Sequence, residues 1–106
     1  MRFALYLPFF LAATSSSAVD FSTEIYPLLQ RACFECHGAE NDKGGLRLHD
    51  AASQAKADHQ EILRRVSLPR SDKEAMPKRG SAWTAQEIQN LRDWVSAGAA
   101  WPETLN

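Results

Sequence analysis

Hydrophobic residues recur at helical spacing along much of the chain, and polar or glycine-bearing segments separate these stretches. The first such pattern predicts a helix over about 23–33. Its apolar stripe consists of Ile25, Leu28, Leu29 and Ala32. Proline is tolerated only in a first helical turn, so Pro27 indicates that the regular part of this helix begins near Tyr26.

Two short helices are predicted in the middle of the chain by residues that cap helix N-termini. Asp50 and Asp58 each precede a helical pattern, and Glu61 follows Asp58 at the spacing of a reciprocal cap. The apolar residues of the second helix are Ile62, Leu63 and Val66, which are predicted to face the core.

The last helix has the clearest boundaries. Thr84 and Glu87 form a capping-box pattern, and Gly98 stands where a helix end favours a left-handed residue. The apolar face of this helix consists of Ile88, Leu91 and Val95. The neighbouring Trp94 is predicted to fill the space where the first and last helices cross. No region is rich in strand patterns, so the sequence predicts an all-α domain.

The N-terminus resembles a cleaved secretory signal. Arg2 is followed by an apolar run, Phe3 to Ala13, and small residues at Ser16 and Ala18 fit a cleavage site after Ala18. The run is too short for a membrane span, which needs roughly 18 residues or more. We therefore expect a signal peptide over 1–18, a single domain over 19–106 without a membrane span, and a periplasmic or otherwise exported protein.

Charge argues against nucleic acid as a partner. The whole chain has 12 Lys and Arg against 13 Asp and Glu, and removal of the signal with Arg2 makes the remainder one unit more negative. A protein that binds phosphate backbones concentrates basic residues instead. Any partner protein is expected to meet a local patch of this surface.

The run from Cys33 to His37 carries the most specific chemistry. Two thiols three residues apart with a histidine directly after them are the attachment pattern of c-type haem, in which both sulfurs add to vinyl groups and the imidazole binds the iron. One covalent haem c is the predicted cofactor, and the cofactor-binding residues are Cys33, Cys36, His37 and Met76. The alternatives are a disulfide between the two thiols, or a zinc site in which His37, His49 and His59 could complete four ligands with the two thiols.

Met76 is the predicted sixth ligand of the iron. It stands directly before Pro77 in a polar, irregular segment where a methionine has little role as core filling. The metal ligands are thus predicted to be His37 and Met76, with His49 and His59 as rivals. Four further side chains could approach haem propionates, although solvated charge or core packing is the alternative for them: Lys43, Arg47, Trp83 and Trp101.

Several short motifs in order carry a resemblance to a known family. They are Ile25 to Leu29, Cys33 to Gly38, Lys43 to Leu48, Leu63 to Val66, Met76-Pro77, Thr84 to Ile88, and Trp94 to Pro102. With these motifs, residues 20–102 resemble the planctomycete-type cytochrome c domain, a variant of the class I cytochrome c fold. The resemblance implies thioether bonds at Cys33 and Cys36, with His37 as proximal and Met76 as distal ligand.

The expected function is electron transfer by a small exported mono-haem cytochrome c whose iron cycles between Fe(II) and Fe(III). Redox proteins are its expected partners, and we do not expect it to be an enzyme. Two alternatives remain at this point. The chain could be a haem-bearing subunit docked on a larger periplasmic oxidoreductase, or a haem sensor or peroxidase with a labile distal ligand.

Overall fold

A computed structural model describes residues 19–102, so the predicted signal peptide over 1–18 lies outside the described residues, as do residues 103–106. Within 19–102 the α-helices are α1 (Tyr26–Ala32), α2 (Ala51–Lys56), α3 (His59–Val66) and α4 (Ala85–Ser96). A π-helical turn, Phe21–Ile25, precedes α1, and a 3-10 turn, Lys43–Gly45, lies between α1 and α2. The described part has no strand beyond an isolated bridge between His37 and Asp42. The all-α prediction is confirmed.

The helical region at the N-terminus begins earlier than the sequence pattern predicted. Asp20 caps it, because its side chain accepts from the Ser22 amide while its own amide donates to the Glu24 carboxylate. The wide π-helical turn that follows leads into α1, where Pro27 occupies the first turn. The regular α-helix thus begins at Tyr26, as the proline indicated.

The later caps agree with the sequence, with one correction. Asp50 accepts from the Ser53 amide, Asp58 from the Glu61 amide, and Thr84 forms a complete capping box with Glu87. Glu61, however, does not return a hydrogen bond to Asp58. Its carboxylate instead accepts from two arginines one turn further along α3, which are stronger partners because they are charged.

The core lies where α3, α4 and the π-helical turn with α1 meet. Its most deeply buried side chains are Ile25, Leu29 and Leu91, which supply the predicted apolar faces of the first and last helices. Trp94 packs against Phe21 with ring centroids 5.8 Å apart, and its Nε1 donates to the Ala100 carbonyl at 2.9 Å. This arrangement fits the predicted role of Trp94 between the first and last helical regions.

Candidate functional site

A cavity of about 490 Å³ opens between the end of α1, the segment after it, α3 and the loop that precedes α4. Its volume falls within the range of roughly 300–1,000 Å³ that is usual for cofactor sites. Cys33, Cys36, His37 and Met76 all line it. The apolar part of the lining includes Ala32, Leu46, Leu48, Ile62, Val66 and Trp83. Charged residues also contribute to it, namely Arg31, Glu35, Lys43, Asp58, Glu61, Arg65, Lys78 and Arg79.

The two thiols lie on a tight turn that continues from α1. Cys33 follows the last residue of the helix, and its carbonyl accepts from the amides of Cys36 at 3.3 Å and His37 at 2.8 Å. Both cysteines are free and half-buried. Burial raises the pKa of the Cys33 thiol to about 12, so this thiol is protonated at neutral pH. The turn presents both sulfur-bearing residues and His37 to the same cavity.

The imidazole of His37 has a fixed orientation. Its Nδ1 lies 3.3 Å from the carbonyl oxygen of Leu46, and because a carbonyl can only accept, Nδ1 carries the proton. In the neutral imidazole this leaves the lone pair on Nε2, which is the form in which imidazole binds a metal. A hydrogen bond on the other ring nitrogen is also the usual support of a metal-binding histidine.

Backbone hydrogen bonds hold the segment that carries His37. The Lys43 amide donates to the Cys36 carbonyl at 3.0 Å, and the Leu48 amide donates to the His37 carbonyl at 2.8 Å. The Gly38 amide donates to the Asn41 carbonyl at 2.8 Å. The glycine-bearing loop after the motif is therefore bonded back onto it, and Lys43 and Gly44 of that loop line the cavity.

The loop that carries Met76 is attached to the end of α3. The Met76 amide donates to the Arg65 carbonyl at 3.1 Å. Arg64 joins the same two elements, since it pairs at 2.8 Å with both Glu61 of α3 and Glu74 of the loop. These contacts hold Met76 beside α3, where its side chain lines the cavity.

A second arginine holds the loop just beyond Met76. Arg70 donates to the carbonyls of Pro77 and Gly80. The sequence did not indicate that Arg64 and Arg70 hold the loop that carries Met76, because the hydrophobic and polar pattern does not identify their partners. The loop contains no regular helix, so these side-chain contacts provide much of its order.

The rival histidines lie elsewhere. His49 lies 3.3 Å from the Asp50 carboxylate and lines a different cavity of about 360 Å³. His59 hydrogen-bonds Gln54 at 2.6 Å and lies edge-on against Trp94. Neither lines the cavity that contains the two cysteines.

The four candidates for propionate contacts divide into two pairs. Lys43 and Trp83 line the cavity, whereas Arg47 lies 3.7 Å from Asp42 and lines the other cavity. Trp101 packs against Phe21, with ring centroids 4.9 Å apart, and is absent from the cavity lining.

The alternatives to haem find little support in the described part of the chain. Among residues 19–102, no three His, Cys, Asp or Glu side chains come together as a group that could hold a metal ion. The two cysteines are not joined as a disulfide. By contrast, an apolar cavity with two thiols, a lone-pair nitrogen and a thioether at its wall has the donor set that a covalently attached haem requires. The residues present fit that group.

Across residues 19–102, no helix has the length and hydrophobicity needed to span a bilayer.

Comparison with curated proteins and with solved structures gives no match. In the comparison with protein families, residues 33–80 match the family model described as Planctomycete cytochrome C. This stretch includes the thiol turn, the His37 support, α2, α3 and the Met76 loop. The family implies covalently bound haem c and haem-based electron transfer. The match over residues 33–80 therefore supports a planctomycete-type cytochrome c domain, and residues 19–102 have an all-α fold consistent with one.

Proposed function

We propose that the chain is an exported electron carrier with one haem, attached through Cys33 and Cys36 and ligated by His37 and Met76. The observation that carries this proposal is the shared cavity, which all four of these side chains line. The bound group would supply one-electron chemistry by cycling its iron between Fe(II) and Fe(III).

The chain's own residues have three tasks in this proposal. His37 offers its Nε2 lone pair because Leu46 holds the proton on Nδ1. Met76 offers a thioether from the loop that follows α3, where its backbone hydrogen bond to Arg65 limits its movement. The apolar lining, with Leu48 and Trp83 among its buried members, excludes water from the ligands.

The charged residues of the cavity lining indicate where a redox partner would dock. Lys43 and Lys78 have no carboxylate partner among the described residues, and Arg79 reaches Glu35 only at 3.7 Å. A redox partner would meet the protein at this side, close to the cavity. Catalysis is not assigned to any residue, because a carrier needs only to hold the group and exchange electrons.

A pyridine haemochrome spectrum of the exported protein, combined with voltammetry, tests this function. We expect one covalent haem c per chain and a reversible one-electron wave. The matched variant Cys36→Ala should mature poorly, because it retains one thiol for attachment. A parent protein without covalent haem, or a normal haem yield in the variant, would contradict the proposal.

A further inference from the structure

Gln54 is a polar side chain in the buried interior, and it does not line the cavity. It belongs to α2 and is 4% exposed. Among residues 19–102, the buried residues are otherwise hydrophobic or glycine, so a buried amide side chain stands out. Burial of an amide is unfavourable unless its hydrogen bonds are made. The bonds that Gln54 makes therefore indicate what it does.

Both ends of the Gln54 amide are bonded. Its Nε2 donates to the Leu48 carbonyl at 2.8 Å, and its Oε1 lies 2.6 Å from Nε2 of His59. Because the Leu48 carbonyl can only accept, the NH₂ group must face it, and the amide oxygen must face His59. His59 therefore donates from Nε2 to Gln54, and Gln54 donates in turn to the Leu48 carbonyl.

Leu48 connects this chain of bonds to the cavity. Its amide donates to the His37 carbonyl at 2.8 Å, and two residues earlier the Leu46 carbonyl accepts from His37 Nδ1 at 3.3 Å. The segment 46–48 thus touches His37 at two points on one side and Gln54 on the other. Arg47, between these leucines, is exposed and lies 3.7 Å from Asp42.

We propose that Gln54 is a positioning residue for His37. It holds the Leu48 carbonyl, fixes the segment 46–48, and thereby keeps the Leu46 carbonyl against Nδ1 of the imidazole. This inference rests on the proposed function, because the imidazole must bind iron for its orientation to matter. A hydrogen-bonded Nδ1 makes the imidazole a stronger donor, which favours Fe(III) over Fe(II). Gln54 therefore lowers the potential of the iron without touching it.

Gln54→Met tests the role in the exported haem protein. Methionine has a similar length and keeps the site filled, but it can donate no hydrogen bond to Leu48. Loss of a partner that directly supports a metal ligand typically changes affinity by roughly 10–100-fold, and Gln54 acts one step further away. We expect the Fe(III)/Fe(II) ratio, measured at the midpoint potential of the parent, to fall by about threefold to tenfold.

Two control variants separate positioning from loss of stability. Leu91→Ala removes a core side chain that is 1% exposed and does not line the cavity, so it should destabilise the fold and leave the potential unchanged. His59→Phe breaks only the outer bond of the chain, and its potential should move less than that of Gln54→Met. An equal shift in Leu91→Ala and Gln54→Met would overturn the proposal, because general loosening would then explain both.

If Gln54→Met does not acquire haem, a measurement on the parent protein still tests the role of Gln54. In the Fe(II) protein, NMR should show the side-chain amide protons of Gln54 exchanging about tenfold or more slowly than those of the exposed Gln86. Equal exchange rates would overturn the role of Gln54. A Gln54→Met protein with full haem content and the parent's potential would overturn it while leaving the proposed function intact. A parent without covalent haem would overturn both.

Discussion

Replacement of Gly38 by alanine tests how closely the turn of the haem motif is packed. Gly38 follows His37 directly and is buried. A Cβ atom at this position would lie 2.3 Å from the carbonyl oxygen of Phe34, and 3.1 Å from its carbonyl carbon. Both are backbone atoms of Phe34, one of the two residues between the cysteines, so no side-chain rotation can relieve the contact.

The size of the effect follows from this geometry. An ordinary contact begins at 3.4 Å, so the Phe34 peptide and Gly38 would have to separate by about 1 Å. Insertion of an extra methyl group into a packed site typically costs about 1–3 kcal/mol. Small domains are stable by only about 5–15 kcal/mol, so this is a large fraction. The movement would also displace Cys36 and His37 relative to Cys33, which should reduce haem attachment.

Denaturant unfolding and haem content per chain measure the two effects. Gly80→Ala is the control for the close contact, because a Cβ there meets nothing within 4 Å, although Gly80, unlike Gly38, has a positive φ of 79°. The strain of a left-handed residue should cost that control about 1–2 kcal/mol and leave its haem content normal. If Gly38→Ala matches the parent in both stability and haem content, the described packing of the turn is wrong.

Three other changes test separate parts of the structure. Met76→Ala should lower the potential and let the Fe(II) protein bind carbon monoxide, and equal binding by the parent would exclude Met76 as a ligand. Hydrogen bonds from Arg64 and Arg65 lower the pKa of Glu61 from 4.5 to about 2. The parent should therefore be more stable than Glu61→Gln above pH 4.5, and unfolding curves should show this advantage disappearing as the pH falls toward 2. Thr84→Ala should lower the free energy of unfolding by about 1 kcal/mol in denaturant titrations, through loss of the α4 cap, and an unchanged midpoint would contradict that role.

Local signals predicted the helical part of the fold well. The α4 boundaries follow from the Thr84 capping box and from Gly98, whose φ is 109°. Pro27 indicated the start of α1, and the stripe through Ile25 and Leu29 became core. These features depend on residues a few positions apart, so the sequence is sufficient to identify them.

The supports of the site depend on contacts between distant residues, and here the sequence was insufficient. The motif and Met76 were identified from local pattern, but the bond from His37 to Leu46 and the buried Gln54 had no such signal. Arg47 was considered for the haem site because it lies between two leucines that line the cavity. Alternate residues of an extended segment point to opposite sides, and its side chain therefore lies toward Asp42.

The central claim is that a haem is joined to the chain through Cys33 and Cys36, and mass spectrometry of the exported protein tests it most directly. After proteolysis, the peptide that contains both cysteines should carry the added mass of one haem, and neither thiol should react with an alkylating reagent. A peptide of unmodified mass with two alkylated cysteines would contradict the account.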